Sequence, residues 1–143
     1  MQTQGYRFLP HTTDAYIEST GATFEEALEN AGLALFDTMC DIGSVSEKFN
    51  EDINVEGRDE LELLYNWLES LLLKFELERK VYSRFQVTLT TSSQPLRINA
   101  RAYGESFDRQ RHHPKVEVKA VTYHRMEVCQ EASVTTLRFI LDL

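Results

Sequence analysis

The sequence predicts an α+β domain in which two main helices pack on a β-sheet, with the element order β-β-α-β-α-β-β-β-β. Two capping boxes predict the helices, because each precedes an apolar run with helical spacing. Alternation predicts the sheet, since apolar residues in the last third of the chain recur with a period of two. Strands and helices in this arrangement are typical of α+β proteins.

The chain has 143 residues with neither an internal repeat nor a Pro/Gly-rich linker, so we expect a single domain over residues 1–143. Apolar residues make up 42% of the sequence and charged residues 27%, the balance of an ordinary globular protein. No apolar run approaches the roughly 20 residues of a membrane span, and the N-terminus lacks the pattern of a signal peptide. These features predict a cytoplasmic protein without a membrane partner.

The first third of the chain predicts two strands and a helix. Residues 6–10 and 15–19 have the composition of short strands, separated by a tight connection. Thr23 can cap a helix, and Glu26, three residues later, completes a capping box. Apolar residues follow at helical spacing, and we expect this helix to end near Asp41.

A second helix is predicted after Asp59 and Glu62, which repeat the capping arrangement behind an extended, irregular and acidic segment, residues 45–55. This helix is apolar over most of its circumference, which favours a position deep between the sheet and other elements. A helix that binds a partner protein could show the same pattern. The predicted core stripe comprises Leu61, Leu64, Tyr65, Leu68, Leu71, Leu72 and Phe75, with Leu63, Trp67 and Leu73 outside it.

The last third of the chain predicts four strands. Residues 85–89 and 96–102 alternate as half-buried strands do, residues 116–128 form a long strand, and residues 137–143 close the chain. The segment before the long strand, residues 112–114, is typical of a loop, because proline disfavours a helical conformation in the preceding residue.

The charge of the chain is unevenly distributed. Residues 1–80 carry 6 basic and 17 acidic groups, whereas residues 81–143 carry 9 basic and 6 acidic groups, and the whole chain has a net charge of -8. The uneven distribution indicates either two solvated surfaces or an acidic and a modestly basic binding face. We do not expect tight binding to bare nucleic acid, which needs clustered positive charge.

Familiar enzyme signatures are missing from the sequence. It contains no phosphate loop, no GxGxxG, no GxSxG and no HExxH motif. A Ser-His-Asp triad stays open, since its members need not be close in sequence. Cys40 and Cys129 form no CxxC pair, so we expect free thiols and no zinc or redox motif.

Acidic groups near the two ends of the chain suggest a cation site. Asp14 lies in the connection between the first two strands, where aspartate is also common for purely structural reasons. Asp142 lies beside the terminal carboxylate of Leu143. If the last strand pairs near Asp14, three carboxylates converge, and such a cluster favours a hard divalent cation such as calcium or magnesium over zinc.

Lys119 is a further candidate, because it alternates out of the apolar face that Val118 and Ala120 predict. It is either an ordinary exposed lysine or a cation directed at phosphate or at the acidic site. The four histidines share no metal-ligand spacing.

Several segments resemble the archease family. Residues 8–14, FLPHTTD, resemble the family's aromatic-x-x-His-Thr-Ala-Asp opening, with Thr13 in place of the usual alanine. Similarity extends through residues 23–31, 34–37, 103–105, 113–114 and 117–123 to the terminal Asp142-Leu143, whereas residues 45–54 match poorly. The resemblance implies an α+β domain with a mixed β-sheet of strand-helix-strand-strand type.

The resemblance also implies a function. Archeases are non-catalytic cofactors of RtcB-type RNA ligases, which join RNA ends in tRNA splicing and RNA repair, and they promote guanylylation and turnover of the ligase. The partner is then the ligase, with guanine nucleotide or tRNA engaged through it. By resemblance, Asp14, Asp142 and Leu143 bind a divalent cation, with calcium favoured and magnesium or manganese as alternatives. Lys119 is implied in ligase activation, and we expect His11 and Thr12 to lie near the cation ligands.

Two other functions stay open at this point. The same residues could serve a stand-alone metal-dependent phosphohydrolase, although the sequence shows no base for one. Alternatively, the chain could be a chaperone-like interaction module in which a metal is only structural.

Overall fold

The computed structural model describes residues 5–11 and 13–143, so Thr12, expected near the cation ligands, lies outside the described residues. Within this part the element order agrees with the predicted one, apart from two short helical additions. The strands are β1 (Tyr6–Leu9), β2 (Ala15–Gly21), β3 (Phe49–Gly57), β4 (Lys80–Thr91), β5 (Leu96–Ser106), β6 (Ala120–Gln130) and β7 (Thr135–Asp142). The helices are α1 (Phe24–Met39), α2 (Glu60–Glu78) and α3 (Arg109–His112), with a 3₁₀ turn at Ile42–Ser44.

The strands form two separate sheets. One has four strands in the order β1-β2-β7-β6, the other three in the order β3-β5-β4, and the strand pairs are antiparallel. The α+β class is confirmed, whereas the expectation of one mixed sheet is wrong. Short connections allow antiparallel pairing of neighbouring strands. Helix α1 leads the chain from the four-stranded to the three-stranded sheet, α2 connects β3 and β4 within the three-stranded sheet, and the segment with α3 leads back to the four-stranded sheet.

Both long helices lie between the two sheets. Helix α1 packs on β2 and β7 of the four-stranded sheet and on β4 of the other sheet, while α2 packs on β6 and on β3. The domain therefore has three layers, with the helices in the middle. A helix covered on two sides must be apolar on two sides, as expected for α2.

This arrangement corrects the predicted stripe of α2. Leu63 and Trp67, placed outside the stripe, are fully buried, as are Leu64 and Leu68 within it. Leu61, predicted as core, is 39% exposed. A single helical stripe describes burial against one neighbour, whereas α2 has a sheet on either side, so its buried surface spreads around the helix. Phe75, also predicted as core, is only partly buried.

None of the described helices is long and apolar enough to cross a membrane.

The two helices of the middle layer are held together by a buried hydrogen bond. The indole N–H of Trp67 donates to the backbone carbonyl of Leu28 at 2.8 Å. Gly32 permits a close approach there, because a Cβ atom would lie 2.8 Å from the Phe85 ring and 3.0 Å from Leu71. A buried indole needs such a partner.

The predicted capping residues begin both helices. Thr23 Oγ1 accepts from the Glu26 N–H at 3.1 Å, and Asp59 Oδ1 accepts from the Glu62 N–H at 2.9 Å. Glu26 reaches back to the N–H of Ala22, so each end satisfies backbone donors that the helix itself cannot pair. Helix α1 ends at Met39, close to the predicted end.

The segment before β6 differs from the prediction. The strand expected over residues 116–128 begins only at Ala120, and residues 113–119 are irregular. Val118 is buried, whereas Val116 is 46% exposed and Ala120 is also exposed, so the expected apolar face is not continuous. His112 ends the short helix α3 instead of lying in a loop.

The thiols are free, as expected, with Cys40 buried and Cys129 exposed.

A buried polar cluster joins α3 to β5. Glu105, 4% exposed, accepts from the Ser46 N–H at 2.7 Å and from the guanidinium of Arg111. His112 is fully buried, and its Nδ1 accepts from the Asp108 N–H at 2.9 Å. The proton of the neutral ring therefore lies on Nε2, which donates to Glu105 at 2.8 Å.

We expect the middle layer to dominate the stability of the domain. Leu68→Ala, at a fully buried position of α2, should lower the free energy of unfolding by about 2–5 kcal/mol because it leaves a cavity. Leu77→Ala, on the same helix but 77% exposed, should change it by less than about 0.5 kcal/mol. Urea denaturation of both variants compares the two positions, and equal losses would contradict the layered arrangement.

His112 should make the stability depend on pH. Burial, followed by the nearby Arg111 charge, lowers the pKa of His112 below its ordinary value of 6.5. As the pH falls, the unfolded chain therefore protonates His112 before the folded chain does. The free energy of unfolding is largest above pH 6.5 and decreases as the pH drops through that value. Denaturation at several pH values should show this slope in the wild type and a smaller slope in His112→Gln. An equal slope in both would contradict it.

Candidate metal centre

The residues predicted at the two ends of the chain meet at one end of the four-stranded sheet. Strands β2 and β7 are paired from Gly21↔Thr135 to Ala15↔Leu141. Continuing this antiparallel register by one residue places Asp14, directly before β2, opposite Asp142 at the end of β7. Side chains at such positions are separated by about 4.5–5.5 Å at Cβ.

Strand β6 brings the predicted lysine to the same place. Ala120 pairs with Asp142, and the backbone N–H of Lys119 donates to the Asp142 carbonyl at 2.7 Å. Lys119 is exposed and lies just before the strand begins. The structure thus brings Asp14, Asp142 and Lys119 together from three adjacent strands.

The backbone around Asp14 is tied to both sides of the site. Its Oδ1 accepts from the N–H of Leu143 at 3.4 Å, a long contact across 129 residues of sequence. Its own N–H faces His11 Nδ1, also at 3.4 Å. His11 is exposed, and its ring meets the edge of Tyr16 with 6.1 Å between centroids. His11 therefore contacts both the Asp14 connection and the start of β2.

The donor groups are of the kind that hard cations prefer. Asp14 is half-buried, Asp142 is exposed, and the half-buried Leu143 contributes main-chain oxygen at the end of the chain. Carboxylate and main-chain oxygens suit calcium or magnesium. Within residues 5–11 and 13–143, no three His, Cys, Asp or Glu side chains form a metal-binding group by themselves. A cation here would need the main-chain or terminal oxygens in addition to the two aspartates.

The outer face of the same sheet carries a row of paired charges. Glu18 contacts Arg7 at 2.7 Å and Arg138 at 2.8 Å, and Arg138 reaches Glu127 at 3.5 Å. The hydrogen bond from Arg7, followed by that from Arg138, lowers the pKa of the Glu18 carboxyl against the effect of burial. These charges pair with one another, and the pairs include neither Asp14 nor Asp142.

Sequence reasoning missed a contact pair that adjoins the Asp14 connection, Tyr16 and Arg125. The Arg125 guanidinium lies over the Tyr16 ring, 5.7 Å from its centroid. Tyr16 was only part of a predicted strand, and Arg125 belonged to a strand that was expected to be regular. The one available signal was the loss of alternation after Thr122, where polar residues His124 and Arg125 follow each other.

Asp142 is exposed and Asp14 is half-buried. A cleft of about 450 Å³ does exist elsewhere, between the end of α2 and the irregular segment before β6. Its lining includes Phe75, Arg79, Phe107 and Lys115, but neither Asp14, Asp142 nor Lys119. Fold and site together define a small α+β protein with an acidic cluster at a sheet end.

Comparisons with known proteins identify the class. The archease protein family matches residues 6–143. The chain is 35% identical to the protein archease of Sulfurisphaera tokodaii over 140 residues, covering 98% of this chain and 99% of that one. It is 42% identical to the protein archease of Pyrococcus furiosus over 118 residues, covering 82% and 83%. The chain therefore belongs to the archease family.

Solved structures agree with the fold. The solution structure of a Methanobacterium thermoautotrophicum protein superposes with a TM-score of 0.85 at 33% identity, covering 99% of this chain and all of that one. The crystal structure of a Thermotoga maritima archease, described as a possible chaperone, has a TM-score of 0.62 at 17% identity over 96% of both chains. The second likeness concerns the fold alone.

Proposed function

We propose that this chain is a non-catalytic activator of an RtcB-type RNA ligase, and that it acts through a divalent cation held at the Asp14–Asp142 end of the sheet. The observation that carries the proposal is the convergence of both aspartates, the chain terminus and Lys119 on adjacent strands. These are the positions that the resemblance to archeases assigns to cation binding and ligase activation.

The carboxylates of Asp14 and Asp142 would hold the cation together with oxygen of Leu143. Calcium suits this set because it accepts several oxygen ligands in flexible geometry, and magnesium or manganese are alternatives. When bound, the ion would supply positive charge that neutralises phosphate oxygens. The protein's own contribution would be to keep the carboxylates of Asp14 and Asp142 close together, an arrangement that like charges oppose without a counterion.

Lys119 would add a mobile positive charge beside the cation. Its main chain is fixed by the bond to Asp142, whereas its side chain is exposed and free to reach a partner. A lysine ammonium is a compact donor that suits phosphate or carboxylate. We infer that Lys119 and the cation together favour guanylylation and multiple turnover of the ligase, with guanine nucleotide and tRNA bound by the ligase itself.

An open sheet end suits an activator better than a hydrolase. Enzymes of small substrates usually enclose them in a concave pocket that excludes water. The half-buried and exposed groups of this site would instead be accessible to a partner protein. A purified chain that hydrolyses nucleotide or RNA phosphates by itself would favour the phosphohydrolase. The description of the Thermotoga maritima relative as a possible chaperone keeps an interaction module as the second alternative.

We expect removal of either aspartate charge to weaken cation binding. Asp14→Asn and Asp142→Asn should each reduce calcium affinity by at least about tenfold, since a neutral amide replaces a charged oxygen ligand. Isothermal titration with calcium measures the change. Asp52→Asn serves as the control, because Asp52 is an exposed aspartate of the other sheet, paired with Arg101 at 2.9 Å. Equal affinity in all four proteins would contradict the proposed site.

Lys119→Ala should separate activation from folding. Loss of an exposed lysine should change the free energy of unfolding by at most about 1 kcal/mol, and the aspartates stay in place to bind the cation. Most of the stimulation of ligase guanylylation should nevertheless disappear. Lys115→Ala, an exposed lysine four positions earlier that contacts Asp37, is the matched control and should retain it.

The measurement pairs thermal unfolding with ligation by an RtcB-type ligase under multiple-turnover conditions, each with and without the chain. Full stimulation by a folded Lys119→Ala protein would show that Lys119 is an ordinary surface residue. No stimulation by the wild-type chain, despite cation binding, would favour the interaction module instead.

A further inference from the structure

Strand β6 becomes irregular after Thr122, two residues beyond the Ala120 that pairs with Asp142. Its pairing with β7 shifts between Thr122↔Ile140 and Glu127↔Arg138, where β6 contains three more residues than regular pairing requires. The irregular stretch has a defined conformation, because the N–H of His124 donates to Thr122 Oγ1 at 3.1 Å. Bulges of this kind redirect side chains and are frequent beside functional sites.

Arg125 lies within this stretch with an unusual backbone. Its φ angle is 59°, in the left-handed region that favours glycine, and it is one of three such non-glycine residues among those described. A side chain is tolerated there only when the surrounding structure fixes the conformation. The bulge therefore presents an arginine at a position where glycine would be easier to accommodate.

A series of contacts connects Arg125 with Asp14 through Tyr16 and His11. Its guanidinium lies over the Tyr16 ring at 5.7 Å, and the other contact of that ring is His11 at 6.1 Å. His11 Nδ1 in turn faces the N–H of Asp14. Tyr16 lies in β2, two residues after Asp14, which directly precedes the strand.

Arg125 differs from the other arginines on this face of the sheet. Arg7 and Arg138 are both bound to the carboxylate of Glu18. Over the described ranges, Arg125 forms no ion pair within 4 Å, and its guanidinium lies over the Tyr16 ring instead. Its N–H donors are consequently not paired with a carboxylate among the described residues.

We propose that Arg125 binds a phosphate group that the cation at Asp14 and Asp142 also contacts, so that the phosphate lies between a guanidinium and a metal ion. This inference rests on the proposed cation site and identifies a phosphate group as its ligand. The planar guanidinium can donate two parallel hydrogen bonds to phosphate oxygens. Packing on Tyr16 reduces the number of conformations that Arg125 must lose on binding.

The two basic residues would then have different tasks. Lys119, on the irregular segment before β6, is an exposed point charge at the end of the sheet. Arg125 is held by the bulge and by Tyr16, and it therefore fixes the orientation of the phosphate. Without the cation, the carboxylates of Asp14 and Asp142 repel an anion, so the contribution of Arg125 should be visible only when the metal is bound.

The test uses inorganic pyrophosphate as the probe and the full-length chain saturated with magnesium. Titration calorimetry first measures magnesium binding and then pyrophosphate binding to wild type, Arg125→Gln and Arg125→Lys. Arg125→Gln should bind pyrophosphate at least about tenfold more weakly, because charge-assisted hydrogen bonds are lost. Arg125→Lys should fall between the two, since it keeps the charge but not the fork. Magnesium affinity should not decrease in either variant.

Arg7→Gln is the matched control, because it removes the same charge from the same face at a residue bound to Glu18. It should leave pyrophosphate affinity unchanged. Pyrophosphate affinities that are equal in Arg125→Gln and wild type, with magnesium bound to both, would overturn this inference alone and leave Arg125 as a packing residue. Absence of magnesium and calcium binding to the wild type would overturn the proposed cation site, and this inference with it.

Discussion

Burial of the two long helices on both sides is the constraint on which the structure depends. Trp67 and Leu28 hold α2 against α1, and each helix then presents apolar residues to a sheet above and a sheet below. Two sheets are required because one would leave half of this apolar surface in water. Since the helices cover the inner face of the four-stranded sheet, charged residues of that sheet such as Glu18 and Arg138 lie on its outer face. The acidic pair lies at one end of this sheet.

Local features of the fold were predictable from the sequence, whereas the assignment of strands to sheets was not. Thr23 and Asp59 could be recognised because a capping residue acts on backbone groups three positions away. Alternation identified the strands β4 and β5, but a period of two carries no information about the partner strand, so the division into two sheets stayed hidden. Trp67 was misplaced for a related reason, since a stripe assumes one packing surface and α2 has two.

The candidate site was predictable in part. Asp14 and Asp142 stood out because one lies in a tight connection and the other lies beside the chain terminus, and the register of β2 with β7 brings them together. Arg125 was not predictable, because its position results from an irregularity in β6 and a contact with Tyr16 on a strand more than 100 residues away. A bulge is a property of the paired sheet, and a single strand sequence rarely specifies it.

The same geometry links the site to the folding of the whole domain. Asp14 and Leu143 are 129 residues apart in sequence, and Lys119 reaches them only through the pairing of β6 with β7. No local segment can therefore assemble the site before the four-stranded sheet is complete, and the sheet in turn needs the helices that cover its inner face. A ligand that binds the assembled site and not the unfolded chain stabilises the folded state by mass action. Cation binding at this sheet end would thus stabilise the pairing of both ends of the chain, and the acidic residues whose repulsion opposes that pairing are the ones that would bind the ion.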